Sequence, residues 1–289
     1  MIGGGRVMIG GGRRERMRES WRELIRTPAG SPKIIAVFSP RGGVGKTTTA
    51  LHLGHALAMV RDDLVVAIDA NPDSGNLVKR VSEPHSPYGM GDLCQAAGQL
   101  ARCTDLLPYV TQTPSGLWVV RSDPEAATRL GAGQYRLVLQ ALARYASVIV
   151  VDLGTGMREP AFLALAGAAD ALVAVAGPTH QAADAAVDAI DWVSQRIPEK
   201  DRACAVVVNA AMPGAPVLDV GKLAAASDFY VDQVLQVPHD PHLATGDACR
   251  WALLSRHTQD AYLQLAAAVM TLLAGPRAGQ PAVSEGALS

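Results

Sequence analysis

Residues 39–50 read SPRGGVGKTTTA, set between an apolar run at 33–38, KIIAVF, and a helical pattern that starts at Gly45–Lys46. Strand, glycine-rich turn and helix in that order form a cradle for phosphate. Gly42, Gly43 and Gly45 let the backbone turn so that its N–H groups converge on phosphate oxygens, with Val44 part of the same turn. The helix N-terminus that follows adds partial positive charge. In this arrangement Lys46 reaches β- and γ-phosphates, Thr47 offers a hydroxyl to Mg²⁺, and Thr48 sits near the α-phosphate.

Outward from this loop the chain alternates between short apolar runs and longer helical stretches. The runs LVVAID (64–69), LWVVR (117–121), SVIVVD (147–152), ALVAVAG (171–177), ACAVVVN (203–209) and QVLQVP (233–238) are rich in β-branched residues. Helices are expected over 46–60, 134–145, 180–196, 217–227 and 258–272, with a short one near Gly91–Arg102. Strands apolar on both faces, alternating with helices, predict an α/β fold. The expected architecture is a single doubly wound, mostly parallel sheet of about seven or eight strands, flanked by helices.

The chain has 289 residues and a net charge of −1, which supplies no global field for nucleic acid. Cys94, Cys103, Cys204 and Cys249 show no C-x-x-C spacing and read as reduced thiols of a cytoplasmic protein. No apolar run is long enough to span a bilayer.

Residues 1–12 repeat MIGGGR and read as a disordered tail, as do residues 275–289; residues 32–274 are the expected nucleotide-binding domain. Residues 13–31 are expected to hold an amphipathic helix and a linker. Met17, Trp21, Leu24 and Ile25 form one stripe, and Glu15/Arg18, Glu19/Arg22 and Glu23/Arg26 are spaced to pair. Such a helix packs on its own domain, or it docks on a protein partner or peripherally at the inner membrane.

Two acidic sites complete the pattern. VVAIDANPDSGN places Asp69 at a strand end, with Asn71 two residues on and Asp73 beyond; NPDSGN is also good turn chemistry. SVIVVDLGTGM places Asp152 at another strand end, positioned to hold Mg²⁺ through water, with Gly154 next to it.

The loop resembles the deviant-Walker-A group typified by MinD and ParA, whose motif carries an extra lysine where this chain has Arg41. In that group the lysine reaches the nucleotide of the other subunit. The resemblance therefore implies an ATP-dependent homodimer, with Arg41 acting in trans, making a local contact, or standing as a solvated cation. It implies ATP and Mg²⁺ as cofactors, Thr47, Asp69 and Asp152 as metal residues, and slow hydrolysis to ADP and phosphate. Lys46, Arg41, Asp69, Asn71 and Asp152 are the catalytic candidates. Asn71 stands where the group has a second carboxylate, and an amide can orient a water but cannot take its proton.

The resemblance further implies that Gly154 offers its N–H to the γ-phosphate. Asn209, Pro238, His239 and Asp240 fall where the group holds adenine. Within the group, WRELIR, AIDANPDSGNL and VPHDPHLATG are similar to segments of actinobacterial members associated with type VII (ESX) secretion. That likeness implies a role in positioning or regulating a protein partner. DNA partitioning is the alternative, although Lys200 and Lys222 are the only lysines beyond residue 80. A nucleotide-binding scaffold without turnover is another. The terminal PAVSEGALS is not a basic membrane-targeting helix.

Overall fold

The computed structural model describes residues 12–71, 75–122, 130–197, 202–210, 212–214 and 231–274. Asp73, Lys200, Lys222, the helix expected at 217–227 and the segments 1–11 and 275–289 lie outside the described residues.

Eight strands form one sheet in the order β3-β4-β2-β5-β1-β6-β7-β8. They are β1 (Lys33–Phe38), β2 (Val65–Ala70), β3 (Thr111–Gln112), β4 (Trp118–Val120), β5 (Val148–Leu153), β6 (Ala171–Ala176), β7 (Ala203–Asn209) and β8 (Gln233–Val237). All pairs are parallel except β3 with β4. Strand β3, only two residues long, carries no periodicity to read in advance.

Alternate residues of each strand feed two cores. Ala36 and Phe38 of β1 face a layer built from α3 (Met90–Ala96), α4 (Ala132–Ala143), α5 (Pro160–Ala168) and α6 (His180–Arg196). Ile35 and Val37 face the opposite layer. That layer holds α1 (Arg13–Arg26), α2 (Lys46–Ala58) and the last helix, Arg256–Ala274, which follows the single turn α7 (Pro241–Ala244) and is α8 here. Apolar residues on both strand faces are the consequence of this double cover.

The short helix expected near Gly91–Arg102 forms as α3, which ends at Ala96, and a 3-10 segment, Cys103–Tyr109, follows it. Helix α5 has no counterpart among the expected helices. It is short and apolar on all sides, so its sequence shows no helical stripe.

Helix α1 forms where expected, but a different face is inward. Ile25 is fully buried and Trp21 partly so, whereas Met17 and Leu24 are 44% and 41% exposed. Arg18 takes an inward position because Asp260 of α8 faces it, and Arg14 reaches the same carboxylate from the exposed side; Arg14 Nε donates to Asp260 Oδ2 at 2.6 Å, and Arg18 Nε donates to Asp260 Oδ1. Their methylene stems cover the apolar surface between the helices. Glu19 pairs with Arg22 at 3.2 Å as expected, but Arg26 also turns to Glu19, at 3.1 Å, and Arg18 is taken by Asp260 instead of Glu15. Arg61 fastens the end of α1: its Nη1 donates to the carbonyls of Ile25 (2.7 Å) and Thr27 (3.0 Å), while Asp63 holds the other side of the fork.

Candidate nucleotide site

The loop between β1 and α2 sits at the C-terminal end of β1, where the chain order in the sheet reverses: β5 lies on one side and β6 on the other. Ligand crevices of open α/β sheets form at such switch points. Gly43 and Gly45 adopt φ of +77° and +89°, which lets the loop double back onto the helix. Gly45 is the N-cap of α2 and no side chain caps that terminus, so the first N–H groups of the helix face outward. Gly45 is also closely approached: a Cβ there would stand 2.6 Å from Asn209 Nδ2.

The loop borders a cavity of about 550 Å³. Its walls include Arg41, Gly42, Gly43, Val44, Gly45, Lys46, Thr47 and Thr48, together with Asn71, Asn209, Pro238, His239 and Asp240. Residues expected at the site from four separated segments thus meet in one cleft, while Asp69 and Asp152 lie behind the loop and do not line it. Gly154 does not line it; it is buried beside a smaller hollow next to Phe162, and Thr155 reaches the cavity instead.

Behind the loop, Lys46 Nζ donates to Asp152 Oδ1 at 2.8 Å. Asp69 and Asp152 are register partners on β2 and β5, so their carboxylates emerge side by side. Burial raises the Asp152 pKa, and Lys46 and the Thr47 hydroxyl oppose the rise. Burial and the neighbouring Asp152 charge likewise raise Asp69. Asp69 Oδ2 accepts from Leu77 N at 2.9 Å and Oδ1 from Asn71 N at 3.1 Å. Two carboxylates therefore share one lysine, and Asp152 Oδ2 is buried with no hydrogen-bond partner. An uncompensated carboxylate oxygen beside Thr47 fits the hard-oxygen donor set that Mg²⁺ takes.

At the far end of the cleft, Asn209 Nδ2 donates to the Val44 carbonyl at 2.8 Å and to Thr49 Oγ1 at 3.2 Å. Its Oδ1 is buried without a partner and is free to accept a hydrogen bond from a ligand. The Asp240 carboxylate is already engaged. It caps α7 by accepting from His242 N (2.9 Å) and accepts from Ser255 N (2.8 Å), so only its backbone is available to a base. Arg41 stands exposed at the mouth; its own N–H donates to Ser39 Oγ at 3.1 Å.

Several cavity residues carried no motif signal. Tyr262 comes from the middle of α8 and stacks on His52, ring centroids 5.1 Å apart. His52 is fully buried, donates from Nδ1 to the Thr48 carbonyl (2.9 Å), and is held down to about pKa 4 by burial. Arg80, at the end of a 3-10 turn (Val78–Arg80), also reaches the cleft. An isolated arginine after a turn and a tyrosine in a helix stripe look like ordinary surface and core residues.

A family profile described as the CobQ/CobB/MinD/ParA nucleotide binding domain matches residues 35–271. The ESX-1 secretion-associated protein EspI of Mycobacterium tuberculosis is 32% identical over 251 residues, covering 84% of this chain and 37% of that protein. The chain thus spans little more than a third of the length of that relative. Among solved structures, the ParA family ATPase from Chlorobium tepidum superposes with a TM-score of 0.67 at 17% identity, covering 82% of this chain and 98% of that one. The cell division ATPase MinD of Pyrococcus furiosus gives 0.67 at 18% identity, covering 83% and 99%. At those identities the two structures speak to the fold.

Proposed function

The chain belongs to the CobQ/CobB/MinD/ParA nucleotide-binding family, and from that premise we propose that it is an ATP-binding, slowly hydrolysing switch ATPase that positions or regulates a protein partner. One observation carries the reading: Lys46 is buried at the base of a glycine loop and neutralised by Asp152 Oδ1, while the other oxygen of that carboxylate, Oδ2, is buried without a partner. A lysine so placed exchanges Asp152 for the β- and γ-phosphates when nucleotide enters, and Asp152 is then released toward a cation. Thr47, Asp69 and Asp152 would hold Mg²⁺, partly through water. When bound, the ion neutralises charge on phosphate oxygens.

Gly42 to Thr48 wrap the polyphosphate with main-chain N–H groups. Asn209 Oδ1 accepts from the exocyclic amine of adenine, and the backbone of Pro238 to Asp240 lies against the base. Asn71 orients the attacking water without removing its proton, which makes turnover slow. Arg41, charged and free at the mouth, reaches the phosphates of a second copy in an ATP-bound homodimer. The acting unit is residues 32–274 with helix α1 docked on it. The likeness to a secretion-associated relative supports a partner in a secretion apparatus, met through α1 or the dimer surface. No helix among the described residues is long and apolar enough to cross a membrane; attachment to the inner membrane would be peripheral, through that partner or through residues 13–26.

Light scattering with and without Mg·ATP tests the switch: mass should double with ATP, and Arg41→Ala should abolish the doubling. Single-turnover hydrolysis separates a slow ATPase from a scaffold. A rate equal to buffer would leave nucleotide binding standing and remove the enzyme.

A further inference from the structure

The cleft contains a cation that belongs neither to the glycine loop nor to the Lys46–Asp152 ion pair. Arg80 lines the same cavity as Thr48 and Tyr262, and its Nη1 is buried with no hydrogen-bond partner. Among the described residues no carboxylate lies within ion-pair distance of it. Its guanidinium meets the Cys249 thiol, a weak acceptor, in a hydrogen bond that opposes the burial-driven rise of that thiol, and its charge pulls down the Asp152 carboxyl. Lys46, by contrast, is neutralised by Asp152.

A partly buried guanidinium that no carboxylate touches, with one nitrogen left unpaired, gains when an anion completes it. Resting on the reading of this cleft as an ATP site, we infer that Arg80 is a nucleotide ligand that donates from Nη1 to a phosphate oxygen of the bound triphosphate. Its planar donor fork suits that partner.

The backbone around Arg80 links this contact to the acidic strand end. Leu77, one residue before the turn that carries Arg80, donates its N–H to Asp69 Oδ2 at 2.9 Å. The Arg80 carbonyl accepts from Cys249 N at 2.7 Å. Two residues on, Trp251 stacks near His52, at 6.3 Å between centroids, and His52 contacts the Thr48 carbonyl. A closed path of contacts thus runs from Asp69 through Leu77, Arg80, Cys249, Trp251 and His52 back to the glycine-loop helix. Phosphate held by Arg80 braces that path, so the segment after Asp69 senses occupancy at a point remote from Lys46.

The test measures Mg·ATP affinity by calorimetry on the full chain, as wild type, Arg80→Gln and Arg80→Lys, with thermal melting of each ligand-free protein. Arg80→Gln should weaken binding about tenfold or more, and Arg80→Lys should retain part of the affinity. Ligand-free Arg80→Gln should melt no lower than wild type, because the substitution removes a partly buried charge that no carboxylate touches. Equal affinity in wild type and Arg80→Gln overturns the role of Arg80 while the ATP site stands. A lower melting temperature together with equal loss in the glutamine and lysine variants makes Arg80 structural and overturns the inference. Absence of binding by folded wild type removes the ATP site itself, and the inference with it.

Discussion

Lys46 Nζ donates to Asp152 Oδ1 at 2.8 Å, with the two side chains only 9% and 1% exposed, and among the described residues neither makes another ion pair. The pair is both a structural element and the switch through which a polyphosphate would act. Its removal has a stability signature independent of nucleotide.

Lys46→Met leaves a buried carboxylate without its cation and should cost about 3 kcal/mol in urea unfolding. The double variant Lys46→Met/Asp152→Asn should recover most of that loss, since neither charge then stays unpaired. Equal stability of the single and double variants would show that the pair is not coupled in this way.

Gly45→Ala combines a φ of +89° with a Cβ 2.6 Å from Asn209 Nδ2. It should destabilise the fold by about 2 kcal/mol and abolish nucleotide binding. Gly42→Ala, where a Cβ meets nothing within 4 Å, should fold as wild type. Matched denaturation curves of the two variants check the contrast.

Asp260 accepts from both Arg14 and Arg18, and it is the polar anchor of α1 on α8. Asp260→Ala should cost about 1 kcal/mol and speed amide exchange across residues 13–26. Exchange in β1 and β5 should stay at the wild-type level. Unchanged exchange in α1 would assign its docking to Ile25 and Arg61 alone.

His52 and His55 are held neutral by burial, down to about 4 and about 3 from 6.5. Between those values the unfolded chain binds more protons than the folded one, so stability is full above pH 6.5 and falls as the pH drops toward 4. The slope is at most about 1.4 kcal/mol per pH unit for each histidine. Replacing His55 by glutamine, which can still meet Ser115, should flatten the urea midpoint against pH in that window. An unaltered profile would show that His55 does not titrate on unfolding there.

Much of the layout was legible because strand and helix signals differ sharply here. The runs at 33–38, 148–152, 171–176 and 203–209 are continuous and β-branched, as strands covered on both faces must be, and Gly42 to Lys46 fix where phosphate can sit. What escaped had no periodic signal. Helix α5 is apolar all round, β3 is two residues, and the inward face of α1 depended on Asp260, which lies more than 200 residues away. Lys46 in the cleft was readable from the glycine loop, and the carboxylates Asp69 and Asp152 behind it from strand ends. Arg80, Thr155 and Tyr262 were not, because only the packing of distant segments brings them to the cavity. Asp240 shows the converse: a residue readable as a base contact has its carboxylate committed to capping α7 and holding Ser255.

The central claim is that the turn from Arg41 to Thr48 closes on the polyphosphate of ATP, with Lys46 leaving Asp152 to meet it. Calorimetric titration of Mg·ATP into the folded protein measures this directly. Saturable binding at one site per chain, lost in Lys46→Met/Asp152→Asn although that variant melts close to wild type, is the expected result. No saturable heat up to millimolar nucleotide, or undiminished binding by the double variant, would contradict it.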